Sequence, residues 1–404
     1  MAVLQAGAAG GGGRLIVVGA GVAGMRTVVE MRRLGYAGGI TLIGTERHRT
    51  YDRPQLSKAV LGGEADSATI AVDWDGLAAD LRLGETAGVL YGTADGAGVE
   101  TAGGRRYDGD AVVIATGAVA NRLPGAPHHV LRTLDDTLGM RARFRPGLRV
   151  VIVGASWTGA EAATAAVRAG CEVTVVHRGA EPLAAIAGDE VGAYCRGWYE
   201  QAGVALRLGR VAERVEPAGL LLAGGEVLPA DAVLVATGAS PAVGWLRGSP
   251  VALGDGVLVD EGLRTGLATV YAVGDCAAFV SRRYGTRIRV DHWDTAMNGP
   301  AVAAANLLGG DEVYDPVPYF WSEQFGRSLH WVGRREAWHR PVWRGGPQDE
   351  AWGVCWFSGE YLAAFLGVNR GRDALQARRL IQAGASLDQE RAADPSVPLK
   401  KAAR

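Results

Sequence analysis

Three glycines at a fixed spacing are the first residues of this sequence whose pattern points to chemistry. Gly19, Gly21 and Gly24 form a Gly-x-Gly-x-x-Gly motif directly after the apolar run 15–18. A strand that turns through such a motif into a helix presents backbone N–H groups to a phosphate at the helix N-terminus. Glu46 stands about 20 residues further on, where a carboxylate accepts hydrogen bonds from an adenosine ribose. Together these features predict a dinucleotide site, whereas the glycines alone would fit a turn in any α/β sheet.

The same pattern recurs in the middle of the chain. An apolar run at 149–153 leads into Gly154, Ser156 and Gly159, and residues 231–238 repeat residues 110–117 almost one for one. Residues 110–117 and 231–238 each predict a buried strand that ends in a turn. The turn contains Ala115, Thr116 and Gly117 in the first copy and Gly238 in the second. Two nucleotide-binding units in one chain imply two dinucleotides.

The second copy departs from the first at two points. Ser156 stands at the position of the middle glycine. Its hydroxymethyl group is small enough for the turn but limits how closely a phosphate approaches the backbone. His177 and Arg178 end its second strand, where an acid would accept the ribose 2′-hydroxyl. Because Arg178 is suited to pair with a 2′-phosphate, the sequence favours NADPH over NADH at this copy.

Composition limits the class of protein. The 404 residues are 48% hydrophobic and 21% charged and include 60 glycines, which indicates a globular α/β protein of two or three domains with many tight turns. A net charge of −1 gives no overall case for binding nucleic acid or an anionic membrane. The four cysteines form no Cys-x-x-Cys pair, so a metal site or a sequence-local redox disulfide is not expected. Residues 1–13 read as a flexible tail without signal-peptide features, and we expect a cytoplasmic protein.

The segment Tyr51-Asp52-Arg53-Pro54-Gln55-Leu56-Ser57-Lys58 carries a family resemblance. It resembles the Y-D-R-P-x-L-S-K segment of the FAD-dependent ferredoxin reductases of oxygenase systems, such as putidaredoxin and rubredoxin reductases. These enzymes form a branch of the pyridine nucleotide-disulfide oxidoreductase family that lacks the redox disulfide. The resemblance implies that Arg53 and Lys58 line the flavin, with Lys58 near its N5 edge. Without it, the segment would read as a basic turn.

Two later segments resemble the same family and imply contacts with the flavin. Residues 269–276 are similar to its second flavin motif, in which Asp275 hydrogen-bonds the ribityl chain. Asp291-His292-Trp293 is similar to a Glu-His-Trp segment, which places Trp293 against the isoalloxazine ring at the start of a helix. Because the second motif follows the second nucleotide unit, the nicotinamide domain must be inserted within the flavin domain.

The resemblance also assigns residues around the nicotinamide. Trp157 would gate or stack near the nicotinamide ring, and Glu161 would lie beside it and pair with Lys58; as a bare pattern, Glu161 could equally be a helix-dipole carboxylate. Thr158 stands where relatives usually carry isoleucine, which leaves the shape of this pocket open. Trp321 would border the flavin and an acceptor surface, although a tryptophan in a strand-rich region is often simple core.

The implied fold is α/β, with two Rossmann-like nucleotide-binding domains of the glutathione reductase type and an α+β C-terminal interface domain. We expect an FAD-binding domain at 14–122 and 245–316, an NAD(P)H-binding domain at 123–244 and the interface domain at 317–404. The interface domain should consist of Trp-rich antiparallel strands and a helix at 372–383 with apolar positions at Ala374, Leu375, Leu380 and Ile381.

The implied function is hydride transfer from NADPH or NADH to FAD, followed by transfer of single electrons to a ferredoxin-type iron-sulfur protein that feeds an oxygenase. Two alternatives stay open: an NAD(P)H oxidase or quinone reductase, and a signalling flavoprotein resembling apoptosis-inducing factor. The chain would act as a monomer or homodimer. A basic docking face for an acidic ferredoxin could come from seven arginines, namely Arg282, Arg283, Arg287, Arg289, Arg327, Arg334 and Arg335.

Overall fold

A computed structural model describes residues 3–4, 13–92 and 96–404. Most of the predicted N-terminal tail therefore lies outside the described residues. Val3 and Leu4 are described, and both of their N–H groups donate to the carbonyl of Leu307, at 3.1 and 3.0 Å. Leu4 is only 2% exposed, so this short piece packs against the folded chain.

Helices follow strands in the two parallel sheets, and runs of consecutive strands make up much of the rest of the described chain. The helices are α1 (Val22–Arg33), α2 (Leu134–Arg141), α3 (Trp157–Arg168), α4 (Ala184–Ala187), α5 (Asp189–Gln201), α6 (Trp293–Leu307), α7 (Gly371–Ala383) and α8 (Gln389–Ala393). Short 3-10 helices lie at Arg53–Ser57, Gly244–Leu246, Gly274–Cys276 and Leu399–Ala402. The strands are β1 (Arg14–Val18), β2 (Gly39–Gly44), β3 (Ala79–Leu83), β4 (Ala87–Gly92), β5 (Ala97–Thr101), β6 (Arg106–Gly109), β7 (Ala111–Ile114), β8 (Ala118–Ala120), β9 (Arg149–Val153), β10 (Glu172–His177), β11 (Ala205–Leu208), β12 (Ala212–Glu216), β13 (Gly219–Leu222), β14 (Val227–Pro229), β15 (Ala232–Val235), β16 (Ala239–Pro241), β17 (Leu253–Gly254), β18 (Gly256–Leu258), β19 (Val270–Ala272), β20 (Ala277–Ser281), β21 (Thr286–Arg289), β22 (Tyr319–Gln324), β23 (Arg327–Gly333), β24 (Arg340–Arg344), β25 (Trp352–Ser358) and β26 (Tyr361–Val368).

The chain divides into two compact units. The first contains the described residues up to 52, together with 69–119 and 240–316. Its main sheet has the parallel order β19-β7-β1-β2-β3, and smaller sheets are formed by β4–β6 and by β17, β18, β20 and β21. The central strands β1 and β7 are apolar apart from Arg14, as expected where helices and loops cover both faces of a parallel sheet. Leu15, Val17 and Val113 are accordingly fully buried.

The second unit contains residues 53–68, 120–239 and 317–404. Its parallel sheet has the order β11-β10-β9-β15, and its C-terminal part is an antiparallel sheet in the order β22-β23-β26-β25-β24. The α/β fold class with a C-terminal antiparallel domain is thus confirmed. The helix predicted at 372–383 forms as α7, which buries Ala374, Leu380 and Ile381 and leaves Leu375 56% exposed.

The segment 53–68 belongs to the second compact unit. Arg141 on α2 explains this placement, because its guanidinium donates to the carbonyls of Val60 and Ala65 and pairs with Asp66 at 2.8 Å. A long cationic side chain that caps several carbonyls of one loop fixes the loop to the helix that carries it. Lys58 is in this way held within the unit that also contains α3.

Candidate cofactor sites

The first glycine turn has a geometry that only glycine allows. Gly19 has φ +118°, and a Cβ there would lie 2.1 Å from the carbonyl oxygen of Ala115. A Cβ on Gly24 would lie 1.8 Å from the carbonyl oxygen of Gly19, so α1 packs directly on the turn. Gly21 is the N-cap of α1, and no side chain caps this helix. Helix α1 therefore starts close to the end of β1, and no side chain caps its first N–H groups. These N–H groups are suited to bind a pyrophosphate.

Glu46 is held beside this turn by the motif that follows it. The hydroxyl of Tyr51 donates to Oε2 of Glu46 at 2.6 Å, and the hydroxyl of Thr50 donates to the carbonyl of Ala20 at 2.9 Å. Both Thr50 and Tyr51 are buried. The sequence named Tyr51 only as part of a motif; its contact with Glu46 gives it a positioning role that sequence reasoning missed.

The remaining first-unit candidates gather at the same edge of the sheet. Thr116 donates its hydroxyl to the carbonyl of Ala242 at 2.9 Å, and Gly117 has φ +69°. Asp275 lies in a 3-10 helix that begins at Gly274, where a Cβ would meet that of Ala23 on α1 at 2.9 Å. The two segments assigned to the flavin thus meet at the start of α1, because β19 and β1 both flank β7 in the sheet.

Trp293 begins α6, and His292 is the N-cap of that helix. Burial lowers the pKa of His292, and the charges of Asp291, Asp275 and Asp294 only partly oppose this. The imidazole is therefore neutral at pH 7. Together with the glycine cradle, these residues fit the ADP and ribityl parts of FAD.

The second glycine turn repeats the first closely. Gly154 has φ +113°, with a Cβ position 2.3 Å from the carbonyl oxygen of Ala236, and a Cβ on Gly159 would lie 1.9 Å from that of Gly154. Ser156 caps α3 in an extended conformation, with φ −97° and ψ −161°, and its hydroxyl makes no cap hydrogen bond. Since any residue adopts this backbone, glycine is not required at this position for conformational reasons.

His177 contacts the second turn in a way that the sequence did not predict. The N–H of Ala155 donates to Nδ1 of His177 at 3.3 Å, so the neutral ring carries its proton on Nε2. Burial, followed by the charge of Arg178, lowers the pKa of His177. Arg178 is exposed and has no ion pair within the described part of the chain. Gly238, with φ +93°, accepts the N–H of Asn121 at 3.0 Å.

A buried ion pair joins Lys58 to Glu161. Lys58 Nζ lies 2.9 Å from Glu161 Oε1, and the two side chains are 9% and 5% exposed. Ser57 donates its hydroxyl to the other carboxylate oxygen, and Ser322 donates to Oε1 at 2.5 Å. A buried charge requires such pairing and hydrogen bonding, and here one carboxylate receives a cation and two hydroxyl groups. The pairing implied by the family is present, but neither serine was predicted.

Strand β22 brings two sets of side chains to opposite faces, because side chains alternate along a strand. On one face, Phe320 packs edge-to-face on Trp157 at 4.5 Å, and Ser322 reaches Glu161. On the other face, Trp321 stacks on Tyr319 at 6.3 Å. Thr158 is half-buried in the first turn of α3. Arg53, which the family would place at the flavin, donates to the carbonyl of Arg132 at 2.6 Å.

The seven arginines predicted as a docking face are largely engaged in contacts of their own. Arg282 pairs with Glu261, and Arg289 lies 3.0 Å from Asp255. Arg334 lies 3.0 Å from Glu336, and Arg335 lies over the ring of Trp356. Arg287 donates to two carbonyls, and Arg327 stacks on Trp198. Guanidinium groups with such partners are less available to a protein partner, which weakens the prediction of a single basic face.

Three further observations concern what the described residues do not contain. All four cysteines are free and buried, so a disulfide reductase is not supported. No cluster of three or more His, Cys, Asp and Glu in the described ranges could hold a metal ion. Nor does any described helix have the length and apolar character needed to cross a membrane.

The model of the pyridine nucleotide-disulphide oxidoreductase family matches residues 13–299, and that of the reductase C-terminal domain matches residues 319–403. The chain belongs to this family. It is an FAD-dependent NAD(P)H oxidoreductase, and the α/β plan with a C-terminal reductase domain agrees with the fold described above.

Relatives of known activity match over nearly the whole chain. The ferredoxin–NAD(+) reductase component of the anthranilate 1,2-dioxygenase system of Burkholderia cepacia is 33% identical over 95% of this chain and 98% of that protein. The 5,5'-dehydrodivanillate O-demethylase ferredoxin reductase subunit of Sphingobium sp. is 34% identical over 96% of this chain and 97% of that protein.

Two solved structures match this fold over nearly the whole chain. The crystal structure of Fdr9 has a TM-score of 0.91 and 42% identity and covers 96% of this chain and 99% of its own. Putidaredoxin reductase in its covalent complex with putidaredoxin has a TM-score of 0.91 and 27% identity, covering 96% of this chain and 97% of its own.

Proposed function

We propose that this protein is the reductase of an oxygenase electron-transfer system, which oxidises NADPH or NADH and reduces a ferredoxin-type iron-sulfur protein. The observation that carries the proposal is the buried ion pair at 2.9 Å between Lys58 and Glu161, of which Glu161 lies on the helix that starts from the second of two matching glycine turns. Relatives that span nearly the whole chain are ferredoxin reductase components of oxygenases. Bound FAD supplies the conversion of a two-electron hydride donor into single electrons.

The first unit supplies residues that would hold the dinucleotide part of FAD. The cradle of Gly19, Gly21 and Gly24 takes the pyrophosphate at the N-terminus of α1, and Glu46, held by Tyr51, accepts hydrogen bonds from the adenosine ribose. The proposed flavin contacts also include Ala115, Thr116, Gly117, Asp275, Trp293, Arg53 and Trp321.

The Lys58–Glu161 pair would orient reactants and stabilise charge during hydride transfer. Lys58 donates to Glu161 and to the carbonyl of Pro54 at 3.2 Å. An ammonium group has three N–H donors, so one is left for a negative charge that develops on a neighbouring group. Trp157, one helical turn before Glu161 and packed on Phe320, would close the site against water.

The second unit would take the nicotinamide coenzyme with its pyrophosphate on Gly154, Ser156 and Gly159, next to Trp157, Thr158 and Gly238. We propose that His177 and Arg178 select the phosphorylated coenzyme, because no acid stands at the end of β10 and the exposed Arg178 has no ion pair among the described residues. NADPH is therefore the expected preferred donor.

We further propose that the chain has three functional domains with the boundaries given above, in which the nicotinamide domain is inserted in the flavin domain. The separate family matches at 13–299 and 319–403 support a distinct C-terminal domain. Four free thiols support a reducing compartment, and the cytoplasm is the expected location.

An acceptor comparison tests the function. Purified protein loaded with FAD is given NADPH or NADH, and the reduction of an added ferredoxin is followed through cytochrome c, beside oxygen uptake without ferredoxin. We expect fast ferredoxin reduction and slow oxygen uptake. The reverse order would support an oxidase or quinone reductase, and slow turnover with every acceptor, coupled to dimerisation on reduction, would support a signalling flavoprotein. Protein that binds no flavin would end the proposal.

A further inference from the structure

Glu161 receives hydrogen bonds from parts of the chain that are far apart in sequence. Ser57 and Lys58 approach from one segment, whereas Ser322 on β22 reaches Oε1 at 2.5 Å across 161 positions of the sequence. The N–H of Glu323 adds a longer contact to the same oxygen at 3.4 Å. The C-terminal sheet therefore completes the environment of a carboxylate that belongs to the nicotinamide-binding repeat.

The hydroxyl of Ser322 has a fixed direction. Gln324 donates from Nε2 to Ser322 Oγ at 3.0 Å, and the exposed fractions of Ser322 and Gln324 are only 0% and 1%. A serine hydroxyl has a single proton, and because its oxygen already accepts from Gln324, that proton points to Glu161. Gln324, Ser322 and Glu161 thus form a directed chain of hydrogen bonds within a buried region.

A second contact keeps β22 in place against α3. The N–H of Phe325, directly after the strand, donates to the hydroxyl of Thr164 on α3 at 3.0 Å. Thr164 lies one turn after Glu161 on the helix, so the strand is anchored at two successive levels. This arrangement leaves Ser322 little freedom to move away from the carboxylate.

We propose that Ser322 is a positioning residue for hydride transfer, which shares the carboxylate of Glu161 with Lys58 and so prevents Glu161 from neutralising that ammonium group completely. The inference rests on the proposed roles of Lys58 and Glu161. With the hydroxyl present, the negative charge of Glu161 is spread over several donors, and Lys58 keeps an N–H for the reacting flavin. Without it, Glu161 binds Lys58 more tightly and changes its own orientation.

Ser322→Ala tests this, with Ser328→Ala as the matched control. Ser328 lies on the neighbouring strand β23 and its hydroxyl contacts His330 Nε2 at 3.1 Å, with no contact to Glu161 among those described. In anaerobic stopped-flow experiments with saturating NADPH, we expect Ser322→Ala to lower the limiting rate of flavin reduction by about tenfold, since a hydrogen bond to a charged group contributes about that factor. The dissociation constant for NADPH should change by less than about twofold, because Ser322 acts through Glu161. Ser328→Ala should leave both values unchanged.

A readout that does not depend on turnover follows the carboxylate itself. The infrared carboxylate band of Glu161 is assigned in the oxidised holoenzyme by its loss in Glu161→Gln. Ser322→Ala should shift this band, because the carboxylate has lost a hydrogen-bond donor. Ser322→Thr keeps the hydroxyl and should restore both the band and the rate to within about threefold, which excludes a folding defect as the cause.

The outcomes separate this inference from the proposed function. If Glu161→Gln slows flavin reduction strongly while Ser322→Ala behaves like Ser328→Ala in rate and in infrared band, the role of Ser322 is refuted and the function stands. If Ser322→Ala shifts the band but the wild-type protein reduces no ferredoxin, the partner assignment fails and the hydrogen bond is upheld. A rate loss in Ser322→Ala that Ser322→Thr does not recover would also overturn the inference.

Discussion

The two nucleotide-binding repeats have nearly the same backbone and different side chains at one end. In each, a five-residue strand leads through a glycine turn into a 12-residue helix, and the last glycine lies against the carbonyl of the first, with Cβ positions 1.8 and 1.9 Å from it. The N–H of the first strand residue, Arg14 or Arg149, donates to an aspartate in both, Asp110 or Asp231. The phosphate cradle is thus a property of the backbone, and it is conserved between the copies.

The difference begins at the end of the second strand. Gly44 ends β2, and a Cβ there would lie 2.5 Å from that of Ala20, whereas His177 ends β10 and accepts the N–H of Ala155. Beyond it, the first repeat has Glu46 and the second has the exposed Arg178. The repeats therefore carry opposite charges at this position, and in the proposed function these side chains select the nucleotide on a common cradle.

The largest expected effect comes from filling the glycine contacts. Gly24→Ala and Gly159→Ala each place a methyl group within 2 Å of a carbonyl oxygen, since the Cβ positions lie at 1.8 and 1.9 Å. Such overpacking costs about 1–3 kcal/mol or more. We expect Gly24→Ala to purify largely without FAD, and Gly159→Ala to keep FAD but bind nicotinamide about tenfold or more weakly. Flavin absorbance and coenzyme titration measure both, and equal loss of FAD in the two variants would break the assignment of one cofactor to each repeat.

The next effect concerns the choice of coenzyme. Arg178→Ala removes a cation that would pair with the 2′-phosphate, and charge-assisted hydrogen bonds contribute about 1.5–3 kcal/mol. We expect kcat/KM for NADPH to fall by about 10-fold to 100-fold and that for NADH to change by less than about twofold. Arg168→Ala, at the far end of α3 and 62% exposed, is the control. An equal fall in kcat/KM with NADPH and NADH would show that Arg178 does not recognise the 2′-phosphate.

A smaller effect depends on pH. Burial lowers the pKa of His177. Above the unfolded pKa of about 6.5, the imidazole is neutral in both the folded and the unfolded protein, so it does not make the free energy of unfolding depend on pH there. As the pH falls from there towards the folded pKa, the unfolded chain takes up the proton first, and the folded protein loses stability. Protonation of Nδ1 also breaks the bond from Ala155.

His177→Gln tests this, because a glutamine does not titrate. We expect the variant to lose less stability than the wild type between pH 7 and pH 5 in urea unfolding. Several other histidines share the lowered direction, namely His129, His292, His330 and His339, so only the difference between variant and wild type reports on His177. Identical pH profiles would contradict a buried neutral His177.

The smallest effect is expected at the middle position of the motif. Ser156→Gly should tighten binding of both coenzymes by about twofold to fivefold, because the hydroxymethyl group no longer limits the approach of the pyrophosphate. Replacing a serine N-cap by glycine lowers helix stability by only about a few tenths of a kcal/mol. The reciprocal change, Gly21→Ser, should weaken FAD binding by a similar factor. Isothermal titration measures both, and no change in either would show that the repeats tolerate serine and glycine equally.

Local structure and family were accessible from the sequence because their signals lie within short stretches. The strand, turn and helix of each repeat, the duplication of 110–117 by 231–238, and the motif that ends at Lys58 each occupy about ten residues or fewer. The Lys58–Glu161 contact followed from the resemblance. Leu375 shows the limit, because a list of apolar positions on a helix does not say which of them the sheet covers, and this side chain is exposed.

By itself, then, the sequence determined the fold class, the two cradles and the family, since glycines and apolar runs act through the backbone of their own segment. Only the tertiary structure decided which side chains meet. Ser57 and Ser322 join Lys58 at Glu161 from two separate segments, and most of the predicted docking arginines take partners from within the fold. A buried carboxylate is stabilised by whichever donors the packing places within hydrogen-bond distance. Such a donor has no fixed spacing from the carboxylate along the sequence, so the sequence does not predict it.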